Sequence, residues 1–473
     1  MFSRIKILWV VAGAATLALF VALEIAARHY GLRGPITYQL RELVLPPKSG
    51  GLLYAGMALM LVVLPWRQRF LALGTALGLD VLFALARWVF DVKATGNLYG
   101  NGALWVILGC GVLAITRRTG RERTLLLKGV GLALLLVVGR KAGDTWLLLT
   151  SASRHWVLDQ YVATADHALG NPSWLVGRFV TATGAVGFNF LDFVYGQLAL
   201  AAVAVALYQL RNVATERAFP RHHLVRTFLV IGLLGPAVYM VYPVVGPIFA
   251  YGNGTEHWAS ISLWAEAHST TQWAVADLWP RTMPPVTAPH SMPFDEITPR
   301  NCMPSLHTAW AVAIFIHSRK GPRALRYAGT FWLLATLTAT LGFGYHYGVD
   351  LIAGVVFVLT IEAALRTYDR GWHRSGVQLV AYGSTVFVAL LVAYRWLPLE
   401  MARQPWLYGP LLLLAMSSVI YGYVRTTTRW ERVTLPAART QEPPEPLVGQ
   451  VAQPRTSGSY GSRPHSEEPR GKV

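Results

Sequence analysis

Apolar runs alternate with short polar stretches from near the start of the chain to about residue 424. Twelve of these runs approach the roughly 20 apolar residues that carry a helix across a hydrocarbon layer. They cover 7–27, 50–66, 70–90, 100–116, 125–150, 182–208, 228–250, 305–318, 327–345, 350–366, 377–395 and 405–424. The eighth is short and extends back towards Met303. Arg140, Lys141 and Asp144 interrupt the fifth. The pattern predicts an all-α, polytopic integral membrane protein with about 12 transmembrane helices.

Composition and charge sharpen this reading. Hydrophobic residues make up 53% of the chain and charged residues 14%, whereas a soluble domain carries about 25% charged residues. The formal net charge of +18 would suggest nucleic acid in a soluble protein. Here the arginines gather in alternate loops, which is the signature of membrane orientation, and no nucleic-acid partner is expected. Basic clusters follow the second run (Arg67, Arg69), the fourth (Arg117 to Arg123), the sixth (Arg211 to Arg226), the eighth (Arg319 to Arg326), the tenth (Arg366 to Arg374) and the twelfth (Arg425 to Arg432). The long opposite stretch from Tyr251 to Pro304 holds only Arg281 and Arg300. One loop disagrees, with Arg28, Arg33, Arg41 and Lys48 on the outer side, and a short interfacial helix over Pro35 to Leu45 accounts for it. Both termini are therefore expected inside, in the cytoplasm of a cell whose plasma membrane, bacterial by expectation, holds the protein. The first run, behind Arg4 and Lys6, shows no cleavage site and is expected to stay as a span. Cys110 lies in an apolar run and Cys302 in a polar loop, so neither a disulfide nor a cysteine metal site is expected. From Ala438 to Val473 the chain turns rich in Pro, Ser, Gly, Glu and Arg, the composition of a disordered tail.

Two segments carry candidate chemistry. Met303-Pro304-Ser305-Leu306-His307 opens the eighth run, and Gly344-Tyr345-His346-Tyr347-Gly348-Val349-Asp350 joins the ninth to the tenth. One helix inward, a short loop and one helix outward separate the two histidines, so both reach the same, outer face. A neutral imidazole is a nucleophile or base and a protonated one is an acid. Attack on phosphorus and departure of an alkoxide need one of each. Asp350, four residues after His346, falls beside its ring on a helical turn. There it fixes the tautomer and stabilises the developing positive charge. His307 has no such neighbour, which suits a proton donor. Pro304 and Ser305 mark a helix start, so Ser305 and the first-turn amides beginning at Leu306 form a candidate phosphate cradle. Arg300 is the nearest candidate cation, followed by Arg154, Arg178 and Lys141. An interfacial anchor explains Arg300 equally well. Internal ion pairing is the simpler reading of Arg140, Lys141 and Asp144, although ionisable groups within a span are functional candidates. His222 and His223 fall on the inner side, away from the pair. Asn253-Gly254-Thr255 matches a glycosylation acceptor, with meaning only on a eukaryotic secretory route.

The PSLH segment followed by HYGVD resembles the type-2 phosphatidic acid phosphatase superfamily. The leucine of PSLH and the later His-Tyr-x-x-Asp most resemble its inositol phosphorylceramide synthase (inositolphosphotransferase) branch. The likeness runs from about Asp159 to Arg366 and takes in Asp166-His167-Ala168-Leu169-Gly170 and Tyr242-Pro243-Val244-Val245-Gly246-Pro247. It implies a six-helix catalytic core, His346 as the nucleophile of a phosphohistidine, Asp350 as its partner and His307 as the acid, with no metal and no cofactor. The superfamily's upstream Lys and Arg-Pro motif has no match, and Ala339 and Thr340 stand where its Ser-Arg pair precedes the second histidine.

The resulting organisation is a membrane region of about five spans over 1–150, a catalytic membrane domain over 151–375, two further spans over 376–430 and a tail over 431–473. The expected activity is that of a metal-independent lipid phosphatase or phosphotransferase, acting on a lipid phosphate or phospholipid with water, an alcohol lipid or a polyol as acceptor. A polyprenyl (di)phosphate phosphatase is the nearest alternative. A transporter or a non-catalytic lipid-binding protein is the alternative from another class. The halves show no internal repeat of the transporter kind, and the notable residues gather at one face.

Overall fold

The protein is seen here as a computed structural model that describes residues 2–92, 96–247, 282–296 and 298–434. It is 77% helical. The N-terminal region contains α1 (Phe2–His29), α2 (Pro35–Arg41), α3 (Gly50–Leu61), α4 (Trp66–Val89), α5 (Asn101–Thr116) and α6 (Gly120–Ser153). Next come α7 (Asp159–Asp166), α8 (Pro172–Ala182), α9 (Gly184–Gly196), α10 (Leu198–Leu210), α11 (Val213–Glu216) and α12 (Leu224–Val241). After residue 298 follow α13 (Leu306–Ser318), α14 (Arg323–Gly342), α15 (Gly348–Arg370), α16 (Arg374–Trp396), α17 (Pro398–Arg403) and α18 (Pro405–Thr434). Among the described residues the only strands are β1 (Trp156–Val157) and β2 (Met292–Pro293), paired antiparallel with Trp156 opposite Pro293. Residues 1–426 form one compact unit, and the described part of the second, 427–434, is helical. The expected tail and the Asn253 to Thr255 pattern lie outside the described residues.

Among the described residues, six helical stretches have the length and apolarity of a full crossing: Trp66–Val89, Leu198–Glu216 (α10 with α11), Leu224–Val241, Gly348–Arg370, Arg374–Trp396 and Pro405–Arg432. Gly50–Leu61, Asn101–Thr116 and Leu306–Ser318 are apolar but shorter. At 1.5 Å per residue, α13 with its 13 residues reaches only about 20 Å, short of a hydrocarbon core about 30 Å thick. The helix lengths therefore do not carry the count of twelve. The expected sixth run, 182–208, also divides. Helix α8 ends at Ala182, Gly184 turns the chain with φ +64, and α9 and α10 meet at Gln197. A hydropathy window averages across such turns, because an apolar turn packed on protein needs no polar residue.

The large apolar side chains point outward as well as inward. Leu71, Leu82 and Trp88 of α4 are exposed, and only 11% of that helix's apolar window is buried. A surface of this kind suits lipid contact and not water. Inside, Leu53, Met60, Ile107 and Val130 join α3, α5 and α6. Ile231, Tyr239, Leu306, Ile314 and Val358 join α12, α13 and α15. Val356, Leu390, Tyr394 and Leu412 join α15 to α16 and α18.

The ionisable residues expected to form internal pairs do so. Arg140 Nε lies 2.8 Å from Asp144 Oδ1, and Lys141 Nζ lies 2.5 Å from Glu42 Oε1 with both side chains buried. Helix α2 occupies the place expected for an interfacial helix, and its first-turn amides at Ile36 and Thr37 donate to Glu24. A carboxylate there satisfies amides that the helix itself leaves unpaired.

Candidate active site

Three local features bring the two histidines together. Ser305 caps α13, its hydroxyl accepting the Thr308 amide at 3.3 Å, so His307 falls in the first turn. Helix α14 ends at Gly342, and the turn beyond it is held by the His346 amide donating to the Thr340 carbonyl at 3.2 Å. Asp350 then caps the start of α15, its Oδ2 accepting the Tyr347 amide at 2.8 Å. The starts of α13 and α15 touch, with the Ser305 amide donating to the Asp350 carbonyl at 3.2 Å. A Cβ on Gly354 would lie 2.6 Å from the Ser305 carbonyl oxygen, so only glycine permits this approach. The His307 and His346 ring centroids end up 6.4 Å apart, at 58°.

His346 and Asp350 are buried. His346 Nδ1 lies 3.5 Å from Asp350 Oδ2, a contact longer than a good hydrogen bond. Cys302 occupies the same corner. Its thiol donates to Asp350 Oδ2 at 2.7 Å and lies 3.4 Å from His346 Nδ1. Asp350 Oδ1 is buried without a partner. Because Nδ1 faces the carboxylate, Nε2 is the nitrogen of His346 left to meet a substrate. His307 is sandwiched differently. Tyr195 of α9 stacks on its ring at 4.4 Å, and Trp310 meets it edge-on at 5.5 Å. Trp310 Nε1 is buried with no hydrogen-bond partner.

Two acids from α7 brace this arrangement. Asp159 accepts the amides of Val245 and Gly246 at 3.0 and 2.8 Å, and the Tyr347 hydroxyl at 3.1 Å. It thus ties the end of the Tyr242 to Pro247 segment to the residue after His346. Gly246 has φ +117, and a Cβ there would lie 2.7 Å from the Tyr345 carbonyl oxygen. Asp166 accepts the Val349 amide at 3.0 Å and the Ser173 hydroxyl at 3.3 Å, capping α15 from outside.

The expected phosphate-binding residues divide. Ser305 sits beside the histidines, and its hydroxyl oxygen accepts the Thr308 amide, which leaves the O–H proton to donate. The Tyr239 hydroxyl donates to the Pro304 carbonyl at 3.2 Å, just before α13, and the His307 amide is a first-turn donor with no acceptor in the helix. Arg300 is fully buried, and its guanidinium donates to the backbone carbonyls of Arg154, Asp295 and Thr298. Its described partners make it a clamp on the loop before α13. Lys141 is paired with Glu42, and Arg154 and Arg178 are exposed.

Sequence reasoning missed Cys302 and the bracing by Asp159 and Asp166. Cys302 lies five residues before His307, but nothing local shows that its partner is Asp350. By spacing alone, two groups of three could hold a cation, with ligand atoms within 4.8 Å: Cys302, His346 and Asp350, and at the opposite end His222, His317 and Glu362. In the second group, His222 and His317 already lie 2.9 and 2.8 Å from the Glu362 oxygens. Gln209 donates to the other ring nitrogen of His317 at 2.8 Å while its own oxygen takes the Leu224 amide. That orientation keeps the proton on His317 Nε2 and fits a hydrogen-bonded knot better than a metal.

Residues 160–364 match the model of the PAP2 superfamily, and residues 7–149 match that of a domain of unknown function, DUF5933. His307, His346 and Asp350 fall within the first match. No curated protein and no solved structure matches the chain.

Proposed function

We propose that this protein cleaves a phosphoester of a membrane lipid through a phosphohistidine on His346. Two supports are independent of each other. PAP2 superfamily members are generally phosphatases or phosphotransferases. The single observation that carries the reading is the pair of imidazoles 6.4 Å apart, one of them with a carboxylate at its Nδ1.

In the first step His346 Nε2 attacks phosphorus and the P–O bond to the lipid breaks. Protonated His307 gives its proton to the departing oxygen. Asp350 takes up the charge on the His346 ring through Nδ1–H. In the second step an acceptor hydroxyl attacks phosphorus, neutral His307 takes its proton, and the P–N bond breaks. His307 is then ready for another cycle. The His346–Asp350 contact of 3.5 Å tightens when a phosphate pulls the ring into line, as catalytic hydrogen bonds commonly do on substrate binding.

Water as acceptor makes a phosphatase, and an alcohol lipid or polyol makes a phosphotransferase. The likeness of the PSLH and HYGVD segments to the inositol phosphorylceramide synthase branch favours transfer. The site would face the periplasm or cell exterior, opposite the arginine-rich loops.

Purified protein in detergent, given lipid monophosphates, diphosphates and phosphodiester lipids with and without inositol or diacylglycerol, tests the reading. Turnover that survives chelator and vanishes in His346→Ala supports it. Free phosphate then identifies a phosphatase and a new phosphodiester identifies a transferase. Turnover that persists in His346→Ala would overturn it.

A further inference from the structure

The site as described holds no committed cation, yet a phosphoryl group in transit spreads negative charge over several oxygens. Arg300 spends its guanidinium on backbone carbonyls. The register of the helices points instead to α6. Gly139 faces Leu229 of α12, and Gly143 faces the Gly232 carbonyl. One turn along α12, Gly235 packs against Leu306 of α13, while Phe228 stacks on Trp310 at 6.0 Å. His307, between Leu306 and Trp310, therefore lies at the depth of residues 140–144 of α6. Leu147, two turns from Arg140 on the same face of α6, packs on the cluster containing Leu306 and Tyr239.

Arg140 is half exposed although it lies deep within a 34-residue helix, and Asp144 holds it through Nε at 2.8 Å. That contact leaves the terminal guanidinium nitrogens for another anion. Trp310 Nε1, beside the His307 ring, is a buried donor without a partner. An ion pair at mid-helix that served packing alone would be expected to be closed from its surroundings, as Lys141–Glu42 is.

We propose that Arg140, held in place by Asp144, binds the phosphate of the substrate, so that the N-terminal region of unknown function completes the active site. The inference rests on the phosphohistidine reading for its substrate, but it makes a separate claim about an anion subsite. Lipid phosphate and inorganic phosphate share the chemistry it recognises.

The test uses the full chain in detergent and orthovanadate as the phosphate probe, followed by vanadium-51 resonance, which needs no turnover. Loss of a charge-assisted hydrogen bond should weaken vanadate binding about 10- to 100-fold in Arg140→Ala. Arg140→Lys should fall between. Added guanidinium should restore part of the binding to Arg140→Ala alone. Arg140→Ala combined with Asp144→Ala removes the pair without leaving a lone acid, and should bind as weakly as Arg140→Ala. Where a substrate is found, kcat/KM should fall in parallel and the lipid headgroup should protect against vanadate. Equal vanadate binding by wild type, Arg140→Ala and the double variant, or none by wild type, would overturn the inference. If wild type turns over substrate in a His346-dependent way and Arg140→Ala does so equally, the phosphohistidine reading stands and the Arg140 assignment falls. If no His346-dependent turnover exists but vanadate binding still needs Arg140, the subsite stands and the catalytic reading falls.

Discussion

The Cys302 thiol donates to Asp350 Oδ2 at 2.7 Å, so a cysteine stands at the carboxylate that faces the His346 ring. The same oxygen accepts the Tyr347 amide. The carboxylate is thereby fixed in its plane before any substrate arrives, with its other oxygen left unpartnered.

Cys302→Ala removes this donor and leaves a buried oxygen less satisfied. A cost of about 1–3 kcal/mol in stability is expected, together with a turnover loss of about tenfold from a less well held Asp350. Cys302→Ser keeps a donor and should retain most of both. Thermal unfolding and turnover of the two variants check this. Equal behaviour of alanine and serine would remove the hydrogen bond from the account.

His346→Ala should abolish turnover, and Asp350→Asn should lower it by orders of magnitude by leaving the wrong tautomer on the ring. Trapping of phosphorus on the protein in acid-quenched samples, compared with wild type, separates loss of the nucleophile from loss of its orientation. An unchanged rate in Asp350→Asn would mean that another group orients His346.

The turn that carries His346 is buried, and burial pushes the imidazole down to about 3. The neutral, nucleophilic form then persists well below the pH near 6.5 at which a free imidazole gains its proton. Phosphoenzyme formation should show no loss at pH 6.5 that is assignable to His346. The stability consequence has the opposite sense: as pH falls through about 6.5 the unfolded chain takes up a proton that the folded chain refuses, and stability declines. A pre-steady-state rate and a melting curve measured across pH 5–8 test both.

Asp159 joins the Val245 and Gly246 amides to the Tyr347 hydroxyl, and no other described acid does so. Asp159→Ala should cost about 1.5–3 kcal/mol for these charge-assisted bonds and depress kcat more than KM, because it loosens the turn behind His346. Tyr347→Phe, which removes one of the three, should give a fraction of the same effect.

Glu362 lies at the other end of the bundle, fully buried, and accepts from His222, His317 and Thr227. Helix α13 thus carries one histidine into the site and another, His317, into this knot. Glu362→Ala would leave those donors unpaired and should destabilise by about 3–5 kcal/mol. Protein that remains folded should keep its turnover, since His317 of the knot stands ten residues along α13 from His307.

Much was legible along the chain because the signals are local. Runs of apolar residues located the helices, the Arg140, Lys141 and Asp144 group announced internal ion pairs, and Pro35 to Leu45 announced a short helix. Two short segments brought His307, His346 and Asp350 to notice through their residue types and the length of one helical hairpin. What the sequence could not convey depends on residues far apart in it. Cys302 and Asp350 meet across a helical hairpin, Asp159 and Tyr347 across most of the catalytic core, and Arg300 and Arg154 across 146 positions of the chain. The break of the expected sixth run at Gly184, and the shortness of α13, follow from packing that a hydropathy average does not register. Local chemistry fixed which groups are available for reaction. Only the close approach of α13 to α15, which the missing side chain of Gly354 permits, decided that they stand together, because contact between helices depends on the shape of both surfaces and neither surface is written in one stretch of chain.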